Sequence, residues 1–218
     1  MKKIIYHGSS VIVKAPSLLK SKKNNDYGQG FYCTEDEELA KEWSCKNDDN
    51  GIVNIYELEL DDLKVLDLRE DKYSILNWIA ILLKHRTFSL NSTLYKYYKE
   101  QFINKYYITV NEYDVVIGFR ADDSYFSFAN AFVSNTLPVR LLESAMYLGD
   151  LGYQIVIVSD YGISKLKYLN SFYVNHNEYN FRYVCRDLEA RQIYNTLIEK
   201  ELSFKEDKFI VDILRSGE

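Results

Sequence analysis

Residues 26–34 read Asp-Tyr-Gly-Gln-Gly-Phe-Tyr-Cys-Thr, a polar turn with two glycines that leads directly into a short aromatic strand. Glycine lets the backbone adopt positive φ or approach another group closely, so this turn can fold tightly. Alternation along the strand sends Phe31 and Cys33 to one face and Tyr32 to the other, where its ring offers a platform for a planar ligand. A hairpin turn with an edge-strand tyrosine explains the same residues, and the segment alone leaves both interpretations open.

A second short strand, near the N-terminus, ends in a histidine. Residues 4–10 read Ile-Ile-Tyr-His-Gly-Ser-Ser, so His7 is followed by a glycine and two hydroxyl side chains. A single histidine is more often structural than catalytic, but the small neighbours leave room for a ligand beside this one. The second segment therefore favours a functional interpretation of the first.

Two later segments predict buried strands. Residues 113–123 read Tyr-Asp-Val-Val-Ile-Gly-Phe-Arg-Ala-Asp-Asp, and residues 153–160 read Tyr-Gln-Ile-Val-Ile-Val-Ser-Asp. Adjacent carboxylates on a strand point to opposite faces, so at most one of Asp122 and Asp123 can line a given cleft. The pair is also typical of a turn that hydrogen-bonds its own backbone, and both interpretations stay open.

Taken in this order, the four segments resemble the ADP-ribosyltransferase superfamily in its diphtheria-toxin-like and poly-ADP-ribose-polymerase-like His-Tyr-Glu branch, and within it the bacterial DUF3990 type. The resemblance implies an α+β fold of two facing antiparallel β-sheets with surrounding helices, and NAD as a co-substrate in the cleft between the sheets. It assigns catalytic roles to His7, Tyr32 and Gln154. The residues that it assigns to NAD binding are His7, Gly8, Ser9, Gly28, Gly30, Tyr32 and Asp122.

Gln154 is the departure from the superfamily pattern, which has a glutamate at the start of this strand. Cleavage between ribose and nicotinamide passes through an oxocarbenium-like state that a carboxylate stabilises, and an amide supplies neither the charge nor a base. Loss of one such group costs about 2.7 to 4 kcal/mol. Three outcomes follow: a slow or specialised transferase whose target provides the base, replacement by another carboxylate such as Asp122 or Asp123, or a pocket that binds NAD-like ligands without turnover.

The resemblance implies a NAD-dependent mono-ADP-ribosyltransferase, a glycosyltransferase that modifies an unidentified protein or nucleic acid. Bacterial relatives of this type imply an intracellular toxin or defence effector of a toxin–antitoxin locus, with an antitoxin protein as a partner. The alternative is a catalytically weak or inactive module that binds NAD or ADP-ribose. An RNA 2′-phosphotransferase shares the broader fold but would need further arginines in the cleft.

The length of 218 residues suits one sizeable core with an appended subdomain. The resemblance covers residues 1–170, within which the helical spacing of residues 72–106 predicts an insert between strands. Residues 171–218 are predicted to form a C-terminal helical extension packed on this domain. Thr34 is predicted to cap a helix over residues 35–45, in which Trp43 packs in the core.

Composition and charge argue against several classes of protein. The chain has 27 basic and 32 acidic residues and a net charge of -5. This balance argues against a protein that coats nucleic acid, although it permits a local basic patch. The basic run at residues 20–25 favours a solvated loop over a phosphate contact. The cysteines, Cys33, Cys45 and Cys185, have no metal-binding spacing and predict a reduced, cytoplasmic location without a metal. No apolar run in the sequence reaches the length of about 20 residues that a membrane-spanning helix requires.

Overall fold

The apolar segments of the sequence form short strands, and the segments with helical spacing form helices around them. The computed structural model describes residues 1–45, 49–121, 123–146, 152–201 and 206–216. Within these residues the strands are β1 (Lys2–Ser9), β2 (Phe31–Cys33), β3 (Gly51–Glu59), β4 (Val65–Asp67), β5 (Val115–Phe119), β6 (Tyr153–Ile157) and β7 (Leu166–Val174). The α-helices are α1 (Glu37–Ser44), α2 (Ile75–His85), α3 (Thr93–Tyr106), α4 (Asp123–Val133), α5 (Val139–Met146), α6 (Asp160–Ser164), α7 (His176–Glu201) and α8 (Ile210–Arg215).

The strands form two sheets, as expected for an α+β protein. The first sheet has the order β1-β3-β7, and the second has the order β2-β6-β5-β4. The first sheet is antiparallel throughout, but β4 pairs with β5 in parallel, so the prediction of two purely antiparallel sheets was wrong at this edge. A parallel pair needs a long crossover, and the helices α2 and α3 between β4 and β5 supply it.

Alternation along the central strands builds two apolar layers. Val115 and Ile117 of β5 are buried against residues of the first sheet, so the two sheets face each other. Val116 lies on the opposite face and packs into a larger core formed with α2, α4 and α5. Helix α1 covers the other side of the first sheet, where Val53 is buried. The layer order is therefore helix, sheet, sheet, helices.

The two sheets are joined at one edge by a short antiparallel bridge. The backbone N–H of Tyr6 donates to the carbonyl of Thr34 at 2.8 Å, and the N–H of Thr34 donates to the carbonyl of Tyr6 at 2.9 Å. Next to this bridge, the side chain of His7 in β1 contacts the carbonyl oxygen of Tyr32 in β2. The bridge therefore brings the two segments that the sequence singled out into contact.

The predicted N-cap of α1 was wrong by two residues. The Asp36 side chain accepts from the backbone N–H groups of Glu38 at 2.8 Å and Leu39 at 3.2 Å, as an N-cap does. Thr34 is held in the bridge between the sheets, and its hydroxyl oxygen accepts from the N–H of Asp36 at 3.1 Å. Because Thr34 pairs with Tyr6 in the bridge, the helix begins after Asp36 and not after Thr34.

The C-terminal segments complete the core. β7 extends to Val174 in the first sheet, and α7 begins at His176. Tyr194 of α7 stacks on Phe128 of α4 with ring centroids 3.9 Å apart. Ile210 and Ile213 of α8 are buried, so the last apolar segment closes the core. None of the helices in the described ranges combines the length and apolar character that crossing a membrane requires.

Gly118 illustrates how tightly the loop after residue 25 is tied to the second sheet. A Cβ atom at this position would lie 2.2 Å from the hydroxyl oxygen of Tyr27, which donates to the carbonyl of Phe119 at 2.8 Å. Tyr27 is fully buried, so its hydroxyl cannot move into solvent. The glycine at position 118 is therefore required for the Tyr27 contact.

We expect Gly118→Ala to lower the free energy of unfolding by about 1–3 kcal/mol, because the added methyl group overlaps the Tyr27 hydroxyl. Urea denaturation of the wild type and the variant measures this loss. In the Gly118→Ala background, Tyr27→Phe should cost less than it does alone, since it removes the atom that the methyl group meets. Additive effects of the two substitutions would contradict this assignment.

Candidate functional site

A cleft of about 610 Å³ lies where β1 and β2 meet and where β6 begins. Its size falls within the range of about 300–1,000 Å³ that is typical of small-molecule sites. The cleft brings together the predicted catalytic residues His7, Tyr32 and Gln154. Its wall is formed by these residues and by Gly8, Ser9, Val11, Val13, Ser17, Lys20, Ser21, Lys22, Asn25, Asp26, Gly30, Phe31, Trp43, Arg86, Arg120 and Ala121.

His7 is fixed across the gap between the two sheets. Its Nδ1 atom lies 2.7 Å from the carbonyl oxygen of Tyr32, and its ring packs on Phe31 with centroids 4.3 Å apart. A carbonyl oxygen can only accept, so Nδ1 carries the hydrogen and Nε2 of the neutral ring is an acceptor. Burial lowers the pKa of His7, which keeps the ring neutral, although the hydrogen bond to Tyr32 opposes the shift. Among the described residues, Nε2 has no hydrogen-bond partner.

Tyr32 is held rigidly beneath the glycine-containing turn. Its hydroxyl donates to the carbonyl of Gly28 at 2.7 Å and accepts from the backbone N–H of Tyr27 at 3.1 Å. Burial raises the pKa of Tyr32 well above its ordinary value, with a further contribution from the charge of Asp26, so the phenol stays neutral. As predicted from alternation, Phe31 and Cys33 are buried between the sheets while Tyr32 packs on the opposite side. The immobilised ring lines the cleft.

Gln154 is buried, with 3% of its surface exposed, at the second position of β6. Its Nε2 atom donates to Oδ2 of Asp26 at 3.0 Å and to the carbonyl of Phe119 at 3.1 Å. The same carbonyl accepts from the hydroxyl of Tyr27 at 2.8 Å and from the indole N–H of Trp78 at 2.9 Å. The Phe119 carbonyl thus ties the turn, α2 and β6 together.

Asp26 is a buried carboxylate at the edge of the cleft, and the sequence interpretation missed its role. Its Oδ2 accepts from the backbone N–H of Ala121 at 3.1 Å, and its Oδ1 lies 3.0 Å from Nε of Arg86, which forms an ion pair. Burial raises the pKa of Asp26, while Arg86, Gln154, the Ala121 N–H and Arg120 oppose the shift. A carboxylate directly before a glycine-rich turn was the available signal, but nothing in the sequence placed it beside residue 154.

The cleft carries an excess of positive charge. Lys20, Lys22, Arg86 and Arg120 line it, and of the acidic residues in its described wall only Asp26 is present. The guanidinium of Arg120 lies 4.3 Å from the ring centroid of Trp43. The predicted solvated loop at residues 20–25 therefore contributes two lysines to the cleft, and Trp43 lines the cleft as well. The sequence pattern around these charged residues does not predict that their side chains meet in one cleft.

The glycines near the cleft serve the packing of the protein as well as access. A Cβ atom at Gly8 would lie 2.3 Å from the carbonyl oxygen of Ala40, so this glycine lets α1 approach β1. Gly28 has a φ of +79° and would place a Cβ atom 2.6 Å from Nδ1 of His85. Gly28 is not part of the cleft wall, and it acts through the carbonyl that binds Tyr32.

The remaining predicted ligand-binding residues differ in their placement. The hydroxyl of Ser9 donates to the carbonyl of Val11 at 2.6 Å and accepts from the side-chain amide of Asn54 at 3.2 Å, so protein groups already engage it. Gly30 lines the cleft. Asp122 lies outside the described residues, and Asp123 begins α4. In the described part of the chain, no group of three His, Cys, Asp or Glu residues is placed to hold a metal ion.

Comparison with known proteins gives one match. A family model whose description is "Protein of unknown function (DUF3990)" matches residues 3–168. This range includes both sheets up to the first residues of β7 and the whole cleft wall. No curated protein and no solved structure matches the chain.

The half-buried histidine His7 predicts a pH dependence of stability. The folded-state pKa of His7 is lowered by burial, so the unfolded chain binds more protons, and stability falls as the pH drops below the ordinary value of about 6.5. We expect His7→Asn, whose amide can still donate to the Tyr32 carbonyl, to flatten the loss of unfolding free energy between pH 7 and pH 5.

Urea denaturation at several pH values measures this slope. Burial also lowers the pKa of His85, so His85 contributes to the same pH dependence of the unfolding free energy. His85 lies outside the cleft wall, and His85→Asn therefore serves as the reference variant. An unchanged slope in His7→Asn would show that the ring is not held neutral by burial.

Proposed function

The chain belongs to the DUF3990 family, and from the contents of its cleft we propose that it is a NAD-dependent mono-ADP-ribosyltransferase. One observation carries the proposal: a single cleft contains the Nε2 acceptor of His7, the immobilised ring of Tyr32 and the side chain of Gln154. His7 and Tyr32 are groups on which the resemblance to the transferase superfamily depends, and Gln154 stands where that superfamily has a glutamate.

Four parts of NAD have a chemically suitable group in the cleft: one ribose, the nicotinamide ring, its carboxamide and the diphosphate. Nε2 of His7 is a neutral acceptor for a ribose hydroxyl, and the Tyr32 ring is a flat surface for the nicotinamide. Lys20, Lys22 and Arg120 provide positive charge for the diphosphate. The Gly8 backbone lies in the same wall and supplies peptide groups for the carboxamide. The cleft therefore suits a dinucleotide better than an uncharged ligand.

The reaction breaks the bond between C1′ of the ribose and the nicotinamide nitrogen. The bonding electron pair leaves with nicotinamide and neutralises its pyridinium charge, while positive charge develops on C1′ and the ring oxygen. A nucleophilic atom of the target then forms a bond to C1′ and releases its proton. The protein contributes by orienting the two riboses and holding the nicotinamide plane against Tyr32.

Gln154 limits this chemistry. A side-chain amide cannot take the proton from the nucleophile, so the proton passes to solvent or to a group of the target. It also adds no negative charge near C1′, where a carboxylate would stabilise the transition state. We therefore propose a slow or target-assisted transferase rather than a fast NAD hydrolase.

A module that binds NAD or ADP-ribose without turnover is the second candidate. The observation that favours it is the burial of Gln154, whose amide hydrogens are bound by Asp26 and Phe119. Such a module would gain thermal stability from NAD but would release no nicotinamide. The two candidates differ in chemistry alone, so a single product assay separates them.

An RNA 2′-phosphotransferase is a third candidate because Arg86 and Arg120 now stand in the cleft wall. Arg86 is paired with Asp26, which weakens its availability to a phosphate. Such an enzyme would act only on RNA that carries a 2′-phosphate. Labelling of a cellular target by NAD without added RNA would favour the transferase instead.

The biological setting that we propose follows from the resemblance. Relatives of this bacterial type suggest a cytoplasmic toxin or defence effector that modifies a protein or nucleic acid and is held in check by an antitoxin protein. Labelled NAD incubated with a cell lysate would reveal the class of the modified target.

We expect the protein to release nicotinamide from NAD in the presence of lysate, and His7→Ala and Tyr32→Ala to reduce the rate at least tenfold. These substitutions remove the ribose acceptor and the stacking surface. His176→Ala, at the start of α7 and outside the cleft wall, is the matched histidine control. Chromatography of free nicotinamide gives the rate, and full activity in either cleft variant would refute the site.

The lysines at the cleft predict a salt-dependent contribution to NAD binding. We expect Lys22→Ala to weaken NAD binding about two- to fivefold at low salt, because an exposed ion pair typically contributes about 0.2–1 kcal/mol. The effect should be smaller at high salt, where the charges are screened. Lys23→Ala is the matched control, because Lys23 is a neighbouring exposed lysine that does not line the cleft. Titration calorimetry at two salt concentrations measures the difference, and equal effects of the two variants would contradict a phosphate contact at Lys22.

A further inference from the structure

The side chain of Gln154 has a defined orientation that its neighbours dictate. Its nitrogen approaches Oδ2 of Asp26 at 3.0 Å and the carbonyl oxygen of Phe119 at 3.1 Å. A backbone carbonyl only accepts hydrogen bonds, and so does an ionised carboxylate. The amide must therefore turn its nitrogen toward both groups, and each of its two hydrogens is used.

The opposite atom of the amide is left for the cleft. Within the ranges that the structure describes, Oε1 of Gln154 has no hydrogen-bond partner, and Gln154 lines the cleft. A flipped amide would place its oxygen against two acceptors, which is electrostatically unfavourable in a buried site. The cleft is thus offered an acceptor and not a donor at this position.

We propose that Asp26 is a positioning residue that holds the Gln154 amide with its carbonyl oxygen toward the ligand. The residue acts through Gln154 and does not itself contact the ligand in this proposal. Together with Nε2 of His7, Oε1 of Gln154 forms a pair of neutral acceptors, which select a ligand that donates from hydroxyl groups, as a ribose does. The assignment of that ribose to NAD, and of its 2′-hydroxyl to Gln154, rests on the proposed function.

The charge of Asp26 is balanced on its other side. Nε of Arg86 lies 3.0 Å from Oδ1, and the N–H of Ala121 donates to Oδ2 at 3.1 Å. Both partners favour the carboxylate that Gln154 needs as an acceptor. Oδ2 of Asp26 therefore accepts hydrogen bonds from Ala121 and Gln154, while Oδ1 is held by its ion pair with Arg86.

This arrangement makes glutamine the suitable residue at position 154. A glutamate there would bring a second carboxylate to within about 3 Å of Asp26 and of the Phe119 carbonyl, since the amide nitrogen already stands at 3.0 and 3.1 Å from them. Two carboxylates at such a distance cannot both stay ionised. Gln154→Glu should consequently impair the site rather than restore a superfamily carboxylate.

The orientation can be tested without any ligand, by nuclear magnetic resonance of the side-chain amides in ¹⁵N-labelled protein. We expect both Gln154 amide hydrogens to exchange with solvent at least tenfold more slowly than those of Gln192, an exposed glutamine of α7. In Asp26→Ala the exchange of Gln154 should accelerate, and in Asp26→Asn, which keeps an acceptor, it should stay slow. Equal exchange of Gln154 and Gln192 in the wild type would overturn the proposal.

A second measurement connects the orientation with ligand choice. We expect the wild type to bind NAD about three- to tenfold more tightly than an analogue that lacks the 2′-hydroxyl of the nicotinamide ribose. The ratio should fall to about one in Asp26→Ala and Gln154→Ala and be retained in Asp26→Asn. A ratio that persists in a folded Asp26→Ala variant would overturn the positioning role.

The two proposals fail in distinguishable ways. If the wild type does not bind NAD but Gln154 exchanges slowly and depends on Asp26, the proposed function is wrong and the positioning role stands. If NAD binds and Gln154 exchanges as fast as Gln192, the positioning role is wrong. Should Asp26→Ala not fold, Gln154→Glu provides the test in a wild type that releases nicotinamide, because release by the variant at an equal or higher rate would refute the proposal.

Discussion

The backbone carbonyl of Phe119 is the constraint on which the site depends. It ends β5 and accepts from the hydroxyl of Tyr27, the indole of Trp78 and the amide of Gln154, which come from the turn, α2 and β6. Hydrogen bonds to one buried acceptor fix these elements relative to each other, because each unsatisfied donor would carry a desolvation cost of about 1–3 kcal/mol. The geometry of the cleft is therefore a consequence of core packing.

The cleft is formed where the two facing sheets meet at the bridge between Tyr6 and Thr34. His7 and Tyr32 extend from strands of different sheets, and the hydrogen bond from the imidazole to the Tyr32 carbonyl spans the gap. The same bond sets the tautomer of His7, and burial keeps its ring neutral. The group that links the two sheets therefore also leaves Nε2 as an acceptor in the cleft wall.

The electrostatics of the cleft centre on the buried carboxylate of Asp26. Asp26 contributes a negative charge to the wall, and this charge is paired with Arg86 and hydrogen-bonded by the Gln154 amide. The Gln154 amide provides a hydrogen-bond acceptor that carries no charge. The surrounding lysines and arginines give the cleft a net positive charge. Such a charge distribution favours an anionic ligand, and the proposal of a slow transferase rests on it together with the neutral amide of Gln154.

The sequence by itself determined the strands that carry His7, Tyr32 and Gln154, the face on which Tyr32 lies and the helices within residues 72–106, because alternation and helical spacing are local signals. The grouping of His7, Tyr32 and Gln154 came from the resemblance, and the structure places the three residues in one cleft wall. It could not determine the parallel pairing of β4 or the cap at Asp36, which depend on contacts between distant segments. Only the tertiary structure placed Asp26 beside Gln154, 128 residues away along the chain. The three-dimensional packing around a buried charge determines its partner, and the spacing of residues along the chain does not predict that partner.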